Sequence, residues 1–482
     1  MMLSEPRRLH PVAGLVNFLK QLKEMLFPVV LFIIFGGRGE DPFWQLLYFV
    51  GTGLLILGLL VIGILQWYRY TYRIESDELR IEYGIFIRKK RFIPLERVQS
   101  IDISAGIIQR MFGLVKLQVE TAGGGKAAEA VLTAITVSEA EQLKNELSKK
   151  PKDDEVVDEG VRESVEITKG YQISTTELLI AAVTSGSVGV VLSAVGALAV
   201  QVDDLIPYET IFRQFEDYVR IGVFFYVILI FIVVLLAWII GTVIMVLKYG
   251  NFTVAKQGED LIITRGILEK RQLTIPLKRI QAIRIQESLI RQPLGYATVF
   301  VESAGGSVDK NEGQSTMLFP LVKKDKINTL LNKLVRDYTL PLEFNKAPKR
   351  SIIRYLIRST LPVLIIIVPA ILFLPVWSYL SLMLVPLGIL LGYWRYQDAG
   401  WTYDDDQLQL RFRLFSKTTV LLRRSRIQSV MKRQSLFQSK NKLGSFITSV
   451  KSAMGGKDFK IVDFEESDCE DMLEWYTKRR SE

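Results

Sequence analysis

The residue types that most enzymes use for catalysis are scarce in this sequence. His10 is the only histidine and Cys469 the only cysteine among 482 residues. A histidine-based metal site, a Cys-His pair and a Ser-His-Asp triad all need residues that the sequence lacks. One cysteine also excludes a disulfide within the chain. We therefore expect no catalytic residue, no metal site and no cofactor.

A glycine-rich segment, Gly123-Gly124-Gly125-Lys126, superficially resembles a phosphate-binding loop. However, Glu120 stands where the first glycine of that motif belongs, and Ala127 stands where a serine or threonine is required. The segment is therefore interpreted as a flexible hairpin. Carboxylate pairs occur along the chain in no recognisable pocket pattern, so we expect that the protein is not an enzyme.

One phrase with the potential to form a site occurs three times. It reads Ile-Pro-Leu-Glu-Arg-Val-Gln-Ser-Ile from Ile93, Ile-Pro-Leu-Lys-Arg-Ile-Gln-Ala-Ile from Ile275, and Leu-Arg-Arg-Ser-Arg-Ile-Gln-Ser-Val from Leu422. The constant centre is Arg-x-Gln, at Arg97 and Gln99, Arg279 and Gln281, and Arg426 and Gln428. On a strand, the arginine and the glutamine project from one face. The pair can face a ligand or a partner, or hydrogen-bond the backbone of a neighbouring loop, and recurrence fits both interpretations.

Basic residues gather at or just before this phrase in every copy. They are Arg88, Lys89, Lys90 and Arg91, then Lys270, Arg271 and Arg279, then Arg423, Arg424 and Arg426. These stretches are either solvated hairpins or candidate contacts with anionic lipid, where each cation near the surface contributes roughly 1 kcal/mol. The net charge of +10 fits a protein held at an anionic membrane surface. Nucleic acid is not expected as a partner, because the aromatic residues lie in apolar segments rather than among the basic patches.

The phrase belongs to a longer internal repeat. Gly84 and Arg97 recur as Gly266 and Arg279 with the same separation and no gap between them. A third copy is centred on Arg426 and has a longer loop after the phrase. Three copies of one module therefore set the domain organisation.

Each module is expected to begin with strands and to end with a helix. Alternating apolar residues predict strands over 79–83, 98–103 and 114–121, with later counterparts at 299–303 and 447–452. The stretches Ser138 to Glu141 and Ser467 to Glu470 are interpreted as capping boxes of closing helices. In the middle module, Asp325 precedes an amphipathic helical stretch. This pattern predicts a small α+β module, an antiparallel β-barrel or sandwich closed by a C-terminal helix.

Long apolar segments precede each module. About twenty apolar residues span a bilayer as a helix, because only a helix satisfies all of its backbone groups in lipid. We predict six membrane helices in three pairs, over 20–37 and 43–66, 177–201 and 221–247, and 359–375 and 376–394. Nearly all Lys and Arg lie on the module side, so the positive-inside rule places the modules and both termini in the cytoplasm.

The expected protein is thus a multi-pass α-helical membrane protein with three cytoplasmic α+β modules. Its predicted parts are an N-terminal segment with the first helix pair at 1–66, module 1 at 67–150, a charged linker at 151–176, the second helix pair at 177–247, module 2 at 248–340, a linker at 341–358, the third helix pair at 359–394, and module 3 at 395–482.

One predicted membrane helix, 177–201, carries a small residue at every fourth position. These residues are Ala181, Ser185, Gly189, Ser193 and Ala197. Such a ladder lets another helix approach closely, within the chain or in another subunit, and predicts a packing seam. The membrane segments hold almost no charge, which argues against an ion-coupled transporter.

The combination of helix pair, strands and repeated phrase resembles a known family. A pattern (I/V)-P-L-x-R-(I/V)-Q-x-I, with Leu-Gly or Phe-Gly further on and a strand ending in (T/S)-A-G-G, is similar to the bacterial pleckstrin-homology (bPH2) domain of membrane-flanked, YdbS/YdbT-like proteins. The resemblance covers nearly the whole chain, in three modules, as in YdbT-like members. The third copy departs from the pattern, with Arg423 in place of the proline and Ala453-Met454-Gly455 near its end.

The resemblance implies a fold and a role. It implies a PH-like barrel on the cytoplasmic face of the cell membrane and a non-enzymatic scaffold or binding protein. It also implies a smaller, one-module YdbS-like companion, or self-association, in envelope stress or in resistance to membrane-active antimicrobial peptides. The alternative that stays open is a protein that binds or transports lipid or an amphipathic peptide.

Overall fold

The computed structural model describes residues 5–36, 42–121, 130–148, 167–186, 193, 223–303, 315–340, 343–373, 381–452 and 455–478. In chain order its helices are α1 (Val12–Gly36), α2 (Pro42–Arg69), α3 (Ile107–Met111), α4 (Val137–Ser148), α5 (Thr175–Val183), α6 (Val223–Tyr249), α7 (Lys324–Val335), α8 (Ile352–Phe373), α9 (Leu384–Asp398), α10 (Leu436–Ser439) and α11 (Glu466–Thr477).

The long apolar helices lie ahead of each module. Within the described residues, three windows are long and apolar enough to cross a membrane, at Phe49–Arg69, Ile228–Tyr249 and Lys349–Pro369. The helix α1 packs along α2, and α8 packs along α9. The helix α1 already begins at Val12, ahead of the helix predicted over 20–37.

The segment predicted as a helix over 177–201 differs from this expectation. The helix α5 ends at Val183, and residues 184–186 form a turn. The Thr184 and Ser185 hydroxyls donate to the carbonyls of Ile180 and Ala182 at 2.6 and 2.7 Å, and this offers those carbonyls an alternative to the helical ladder. Residues 187–192 and 194–222 lie outside the described part of the chain.

The strands follow the repeat. They are β1 (Arg7–Arg8), β2 (Thr71–Glu75), β3 (Glu78–Tyr83), β4 (Lys89–Pro94), β5 (Val98–Ala105), β6 (Leu114–Thr121), β7 (Ala130–Thr136), β8 (Ile167–Gln172), β9 (Thr253–Gln257), β10 (Asp260–Arg265), β11 (Lys270–Pro276), β12 (Ile280–Glu287), β13 (Tyr296–Ser303), β14 (Thr316–Lys323), β15 (Asn345–Lys346), β16 (Gly400–Tyr403), β17 (Gln407–Arg413), β18 (Lys417–Arg423), β19 (Ile427–Arg433), β20 (Leu443–Ser452) and β21 (Gly455–Glu465).

Neighbouring modules share their sheets. The strands β1-β2-β3-β4 form a first sheet, and β7-β6-β5 continue into β11-β10-β9-β8 of module 2 as one seven-stranded sheet. In the same way β14-β13-β12 continue into β18-β17-β16-β15 of module 3, and β19-β20-β21 form the last sheet. Each module therefore gives its early strands to one sheet and its late strands to another. All strand pairs in the described part of the chain are antiparallel.

Short strands lie in stretches that the sequence assigned to terminal or linker segments. The strands β1, β8 and β15 precede the helix pairs and pair with β2, β9 and β16. Each helix pair is thus inserted between the first and second strands of its module. Two-residue strands such as Asn345–Lys346 are too short to show a period of two, which explains why the sequence does not reveal them.

The closing helices start earlier than their predicted capping boxes. Thr136 and Glu139 form the box that begins α4, because the Glu139 carboxylate accepts from the Thr136 amide and the Thr136 hydroxyl accepts from the Glu139 amide. At α11, Glu465 is the N-cap and its side chain makes no capping bond, so the predicted boxes at Ser138 and Ser467 are wrong. In both cases the helix follows the strand directly, and the cap therefore falls on the last strand residue.

A separate hydrophobic core fills each module. In module 1, Leu79 from the early strands, Leu117 from the late strands and Leu143 from α4 are completely buried together. Modules 2 and 3 repeat this, with Leu331 of α7 and Met472 of α11 in the place of Leu143. Burying such a side chain stabilises the fold by roughly 1.5–3 kcal/mol. The closing helix is therefore part of each core.

Glycines allow two helix pairs to pack closely. A Cβ added at Gly63 of α2 would lie 2.9 Å from Gly14 O and 3.0 Å from Phe18 N of α1. A Cβ added at Gly392 of α9 would lie 2.8 Å from Leu356 Cα of α8. The two glycines hold the same position in modules 1 and 3, so the same close contact is built twice.

We predict that Gly63→Ala destabilises the folded protein, by about 1–3 kcal/mol, because the new methyl group overpacks the α1–α2 contact. In the same helix, no atom of the described residues lies within 4 Å of a Cβ at Gly53. Gly53→Ala should be neutral or stabilise by up to about 1 kcal/mol, since alanine favours a helix over glycine. Thermal unfolding of the detergent-solubilised variants measures both changes, and equal melting temperatures would contradict this assignment.

Candidate functional site

The junction between modules 1 and 2 buries an ion pair. The strands β5 and β11 pair with Asp102 opposite Leu273. The Arg271 guanidinium donates from Nε and Nη2 to Asp102 Oδ2 at 2.8 and 2.5 Å, and only 1% of the Asp102 side chain is exposed. A buried carboxylate of this kind needs a hydrogen-bonded partner. The partner comes from the neighbouring module, so the two modules depend on each other at this point.

The junction between modules 2 and 3 repeats the same register. The strands β12 and β18 pair with Arg284 opposite Val420. These two residues are the repeat equivalents of Asp102 and Leu273. The strand pairing between modules is therefore a repeated feature of the fold.

Two carboxylates provide charge contacts at this second junction. The completely buried Glu302 Oε1 accepts from Arg284 Nε at 3.0 Å and from Lys457 Nζ at 2.7 Å. Glu287 Oε1 lies 3.8 Å from Lys417 Nζ on the facing strand. Burial lowers the pKa of the Lys457 ammonium, although Glu302 opposes this change. The contacts of Lys457 with Glu302 and of Lys417 with Glu287 join module 3 to module 2.

The repeated phrase folds into the same turn in each copy. Its centre forms 3-10 turns at Leu95–Arg97, Leu277–Arg279 and Arg424–Arg426, each lying between two strands. Proline sets φ at −60° before the first two turns. In the third copy Arg423 adopts φ −79° and ψ 138°, so the turn forms without proline.

In the second copy, the Arg-x-Gln centre makes backbone contacts. Arg279 Nη2 donates to Val98 O of the first copy at 2.6 Å, and Gln281 Nε2 donates to Arg279 O at 3.1 Å. Burial lowers the pKa of Arg279. Arg97 ends the equivalent turn in module 1, while the side chain of Gln99 lies outside the described residues. The contacts of Arg279 are those expected of a residue that holds two modules together.

In the third copy of the phrase, Arg423 contacts module 2 and Arg424 contacts its own module. Arg423 Nη1 lies 2.7 Å from Asp337 Oδ2, and Arg424 Nη2 donates to Tyr476 O at 3.1 Å. Arg426 is half-buried at the end of its turn, and Gln428 is exposed on β19. Among the described side chains, those of the Arg-x-Gln centres make separate contacts in modules 2 and 3.

The basic stretch of module 1 lies on the outermost strand. Lys89, Lys90 and Arg91 are exposed on β4, and Arg88 is exposed just before it. Glu82 pairs with Arg88 at 2.5 Å and with Lys90 at 3.5 Å. In module 2 the equivalent stretch contains the exposed Lys270 and the junction residue Arg271. The same repeat position is thus exposed in module 1, at Lys89, and contacts the neighbouring module in module 2, at Arg271.

Two buried charged residues connect modules to helices, Arg291 to α5 and Asp463 to α8. The sequence itself does not single out either of them. Arg291 donates to Thr184 Oγ1 and to Ala181 O, both at 2.8 Å, at the end of α5, and burial lowers its pKa to about 10. Asp463 is completely buried and accepts from Arg358 Nη2 of α8 at 2.6 Å. A single charged residue in a loop or strand carries no signal of burial in the sequence.

The predicted packing seam is described only in part. Ala181 is buried in α5, Ser185 lies in the turn after it, and Ser193 is exposed. Gly189 and Ala197 lie outside the described residues. The Ala181 carbonyl is held by Arg291, so this part of the ladder packs against module 2.

Exposed apolar residues recur at two loops of every module. Phe86, Leu268 and Phe415 share one repeat position in the hairpin before the phrase, and 96% of Phe86 is exposed. Exposed residues at a second shared position, in the connection that follows β5, β12 and β19, are Ile107 at the start of α3, Leu289, and Leu436 at the start of α10.

In modules 2 and 3, hydrogen bonds place these loops beside apolar helices. The amide of Ile267 donates to Leu247 O of α6 at 2.9 Å, and Arg395 of α9 donates to Leu414 O at 3.0 Å. Arg354 of α8 donates to the Phe437 carbonyl next to Leu436. We call these two sets of loops the apolar tips. Exposed apolar residues at the end of a membrane-spanning helix are suited to contact lipid.

Neither residue with catalytic potential lies in a reactive setting. Cys469 lies on the buried face of α11, and burial raises the pKa of its thiol to about 12. His10 Nδ1 accepts from the Val12 amide at 3.3 Å at the start of α1. Among the described residues, no group of three or more His, Cys, Asp or Glu is placed to hold a metal ion.

Sandwich modules closed by a helix and joined to apolar helices define a class of membrane-associated proteins built from PH-like domains. The chain belongs to the bacterial PH domain family (bPH_2), whose profile matches residues 29–151, 208–337 and 363–480. Along its whole length it is 40% identical to the UPF0699 transmembrane protein YdbT of Bacillus subtilis (strain 168), over 495 residues and 100% of both chains. The predicted membership of the YdbT-like group is therefore confirmed.

A smaller relative matches one part of the chain. The UPF0699 transmembrane protein YdbS of Bacillus subtilis (strain 168) is 28% identical over 80 residues, which cover 17% of this chain and 48% of YdbS. No solved structure matches the chain.

We predict that Arg271→Ala lowers the free energy of unfolding by about 3–5 kcal/mol, because it leaves Asp102 buried without its guanidinium. Lys89→Ala changes the same repeat position on the exposed strand β4 and should alter stability by no more than about 0.5 kcal/mol. Denaturant unfolding in detergent compares the two variants. Equal midpoints would show that the buried pair does not stabilise the junction.

Proposed function

We propose that the protein is a non-enzymatic scaffold that holds three PH-like modules at the cytoplasmic face of the cell membrane. It recruits or stabilises other membrane proteins, foremost a smaller YdbS-like companion of the same family, in envelope stress or in resistance to membrane-active peptides. The observation that carries this proposal is the continuity of the sheets, which joins three binding modules into one array. Continuous sheets fix the spacing between modules, and fixed spacing is what a scaffold requires.

The proposal includes six membrane-spanning helices, arranged as three pairs, with both termini in the cytoplasm. Support comes from three long apolar windows, from the partner helices α1 and α9 that pack beside two of them, and from the transmembrane description of YdbT. The concentration of Lys and Arg on the module side supports the cytoplasmic orientation. A non-enzymatic role is supported by the buried polar groups, since Asp102, Glu302 and Asp463 are each used in contacts between parts of the fold.

Purification at native expression level tests the scaffold. We expect a tagged chain, extracted in mild detergent, to co-purify with the single-module family member of the same cell. A chain with Arg271→Ala in a destabilised junction should recover less of it, and Glu141→Ala on the exposed face of α4 should still fold normally and serve as the folding control. If the single-module protein is absent from the purified sample, while the chain itself is intact, the scaffold role is refuted.

The apolar tips favour lipid binding as a second candidate function. Basic residues lie near them. Arg88 is two residues after Phe86, and Arg110 Nη1 donates to Ile267 O at 2.6 Å. A surface that combines apolar and cationic groups suits an anionic membrane surface. In this function the modules rest on the lipid that surrounds their own helices.

We predict that the tips reach the lipid. A bimane fluorophore on Phe86→Cys should be quenched by doxyl-labelled phosphatidylglycerol in proteoliposomes, because the tip lies at the lipid surface. The native Cys469 should not interfere, since it is buried. The same fluorophore on Glu141→Cys, exposed on α4, provides the comparison. Equal quenching at both positions would contradict lipid contact by the tips.

A further inference from the structure

The outer edge of β4 differs from the same edge in the other two modules. The strand β4 ends its sheet, and no other strand in the described part of the chain pairs with its outer edge. The equivalent strands β11 and β18 pair there with β5 and β12, the late strands of the preceding module. An unpaired edge presents backbone N–H and C=O groups that can pair with a strand of another chain. In modules 2 and 3 this strand edge pairs with the preceding module. In module 1, the first of the three, no strand of the described residues pairs with it.

The aromatic ring of Phe92 is left partly exposed beside this open edge. It stands on β4 at the repeat position of Leu421 on β18. Leu421 is completely buried and belongs to the core of module 2, which it reaches across the junction. Phe92 is 54% exposed. A strand paired with β4 as β12 pairs with β18 would cover this aromatic ring.

The charges on β4 also match the internal junctions. In each junction a cation near the start of one strand lies close to a carboxylate of the facing strand. The pairs are Arg271 of β11 with Asp102 of β5, and Lys417 of β18 with Glu287 of β12. Lys89 occupies the position of Arg271 on β4. A docking strand with a carboxylate at the position of Asp102 would repeat this pairing.

A second copy of this chain does not supply those carboxylates. Its own open late strand is β19, and there Met431 and Gln434 occupy the positions of Asp102 and Glu287. In the register of the internal junctions, Arg433 of β19 would stand opposite Lys89. Like charges directly opposite each other destabilise a strand pair. The two open ends of the array are therefore poorly matched to each other.

We propose that the outer edge of β4 binds a PH-like module of a different protein. The bound segment is the late strand that follows the repeated phrase of that module, antiparallel to β4 and in the register of the internal junctions. It carries carboxylates at the positions that Asp102 and Glu287 hold in this chain. This inference rests on the proposed scaffold function, which supplies a partner of the family, and it identifies the surface to which the partner binds.

Another explanation of a lysine-rich edge leads to a different result. Edge strands of many proteins carry lysine to prevent pairing with other chains, and in that case nothing binds β4. The two explanations agree on the charge of the strand and differ in what lies beside it in the cell. Cross-linking from the strand separates them.

The experiment places a thiol-reactive benzophenone on Lys90→Cys in the full-length chain, in native membranes. The buried Cys469 should not be labelled. After irradiation, mass spectrometry identifies the attached peptide. Gln272→Cys is the positive control, because Gln272 holds the same repeat position on β11 and faces Ile103 of β5 in the same chain. Glu141→Cys on the exposed face of α4 measures random attachment.

With the positive control cross-linked to β5, each outcome at Lys90→Cys decides the proposal. Attachment to the late strand of a PH-like module in another protein supports it, and adding Lys89→Glu should then lower the yield about tenfold through repulsion of the carboxylate. Attachment to residues 427–433 of a second copy, or to lipid alone, overturns it. If the single-module protein co-purifies but is not attached at β4, this inference fails and the scaffold function stands.

Discussion

Antiparallel pairing between strands of neighbouring modules is the interaction on which the rest of the structure depends. A small sandwich of this size has two sheets whose edges expose unpaired backbone groups. In modules 1 and 2, one edge of the late sheet is paired with a strand of the next module, at β5–β11 and at β12–β18. The modules are therefore joined by backbone hydrogen bonds, with buried ion pairs added at the same places.

This arrangement changes the meaning of the basic residues around the repeated phrase. Arg271 and Arg279 lie in a junction and contact Asp102 and the Val98 carbonyl. Their counterparts Lys89 and Arg97 belong to the end of the array and are exposed. A repeat position thus has one role inside the array and another at its end, so equal residue types do not imply equal contacts.

The helix pairs are integrated with the modules rather than attached at one point. A strand precedes each pair and another follows it, so both ends of the pair are anchored in one sheet. Arg291 and Asp463 add charged contacts to α5 and α8. The hairpins of modules 2 and 3 also contact the apolar helices α6 and α9. The membrane anchor and the modules consequently form one structural unit.

The sequence by itself determined the features that depend on local pattern. Apolar runs such as 43–66 and 221–247 predict helices, alternation over 114–121 predicts a strand, and the recurrence of Arg97 at Arg279 and Arg426 predicts three modules, because each of these is encoded in neighbouring residues or in plain repetition. Only the tertiary structure decided which strands pair between modules, that Asp102 is buried, and that β4 is left open. Strand pairing joins residues far apart in the chain, as Arg271 and Asp102 are, and its partners leave no periodic signal at either site.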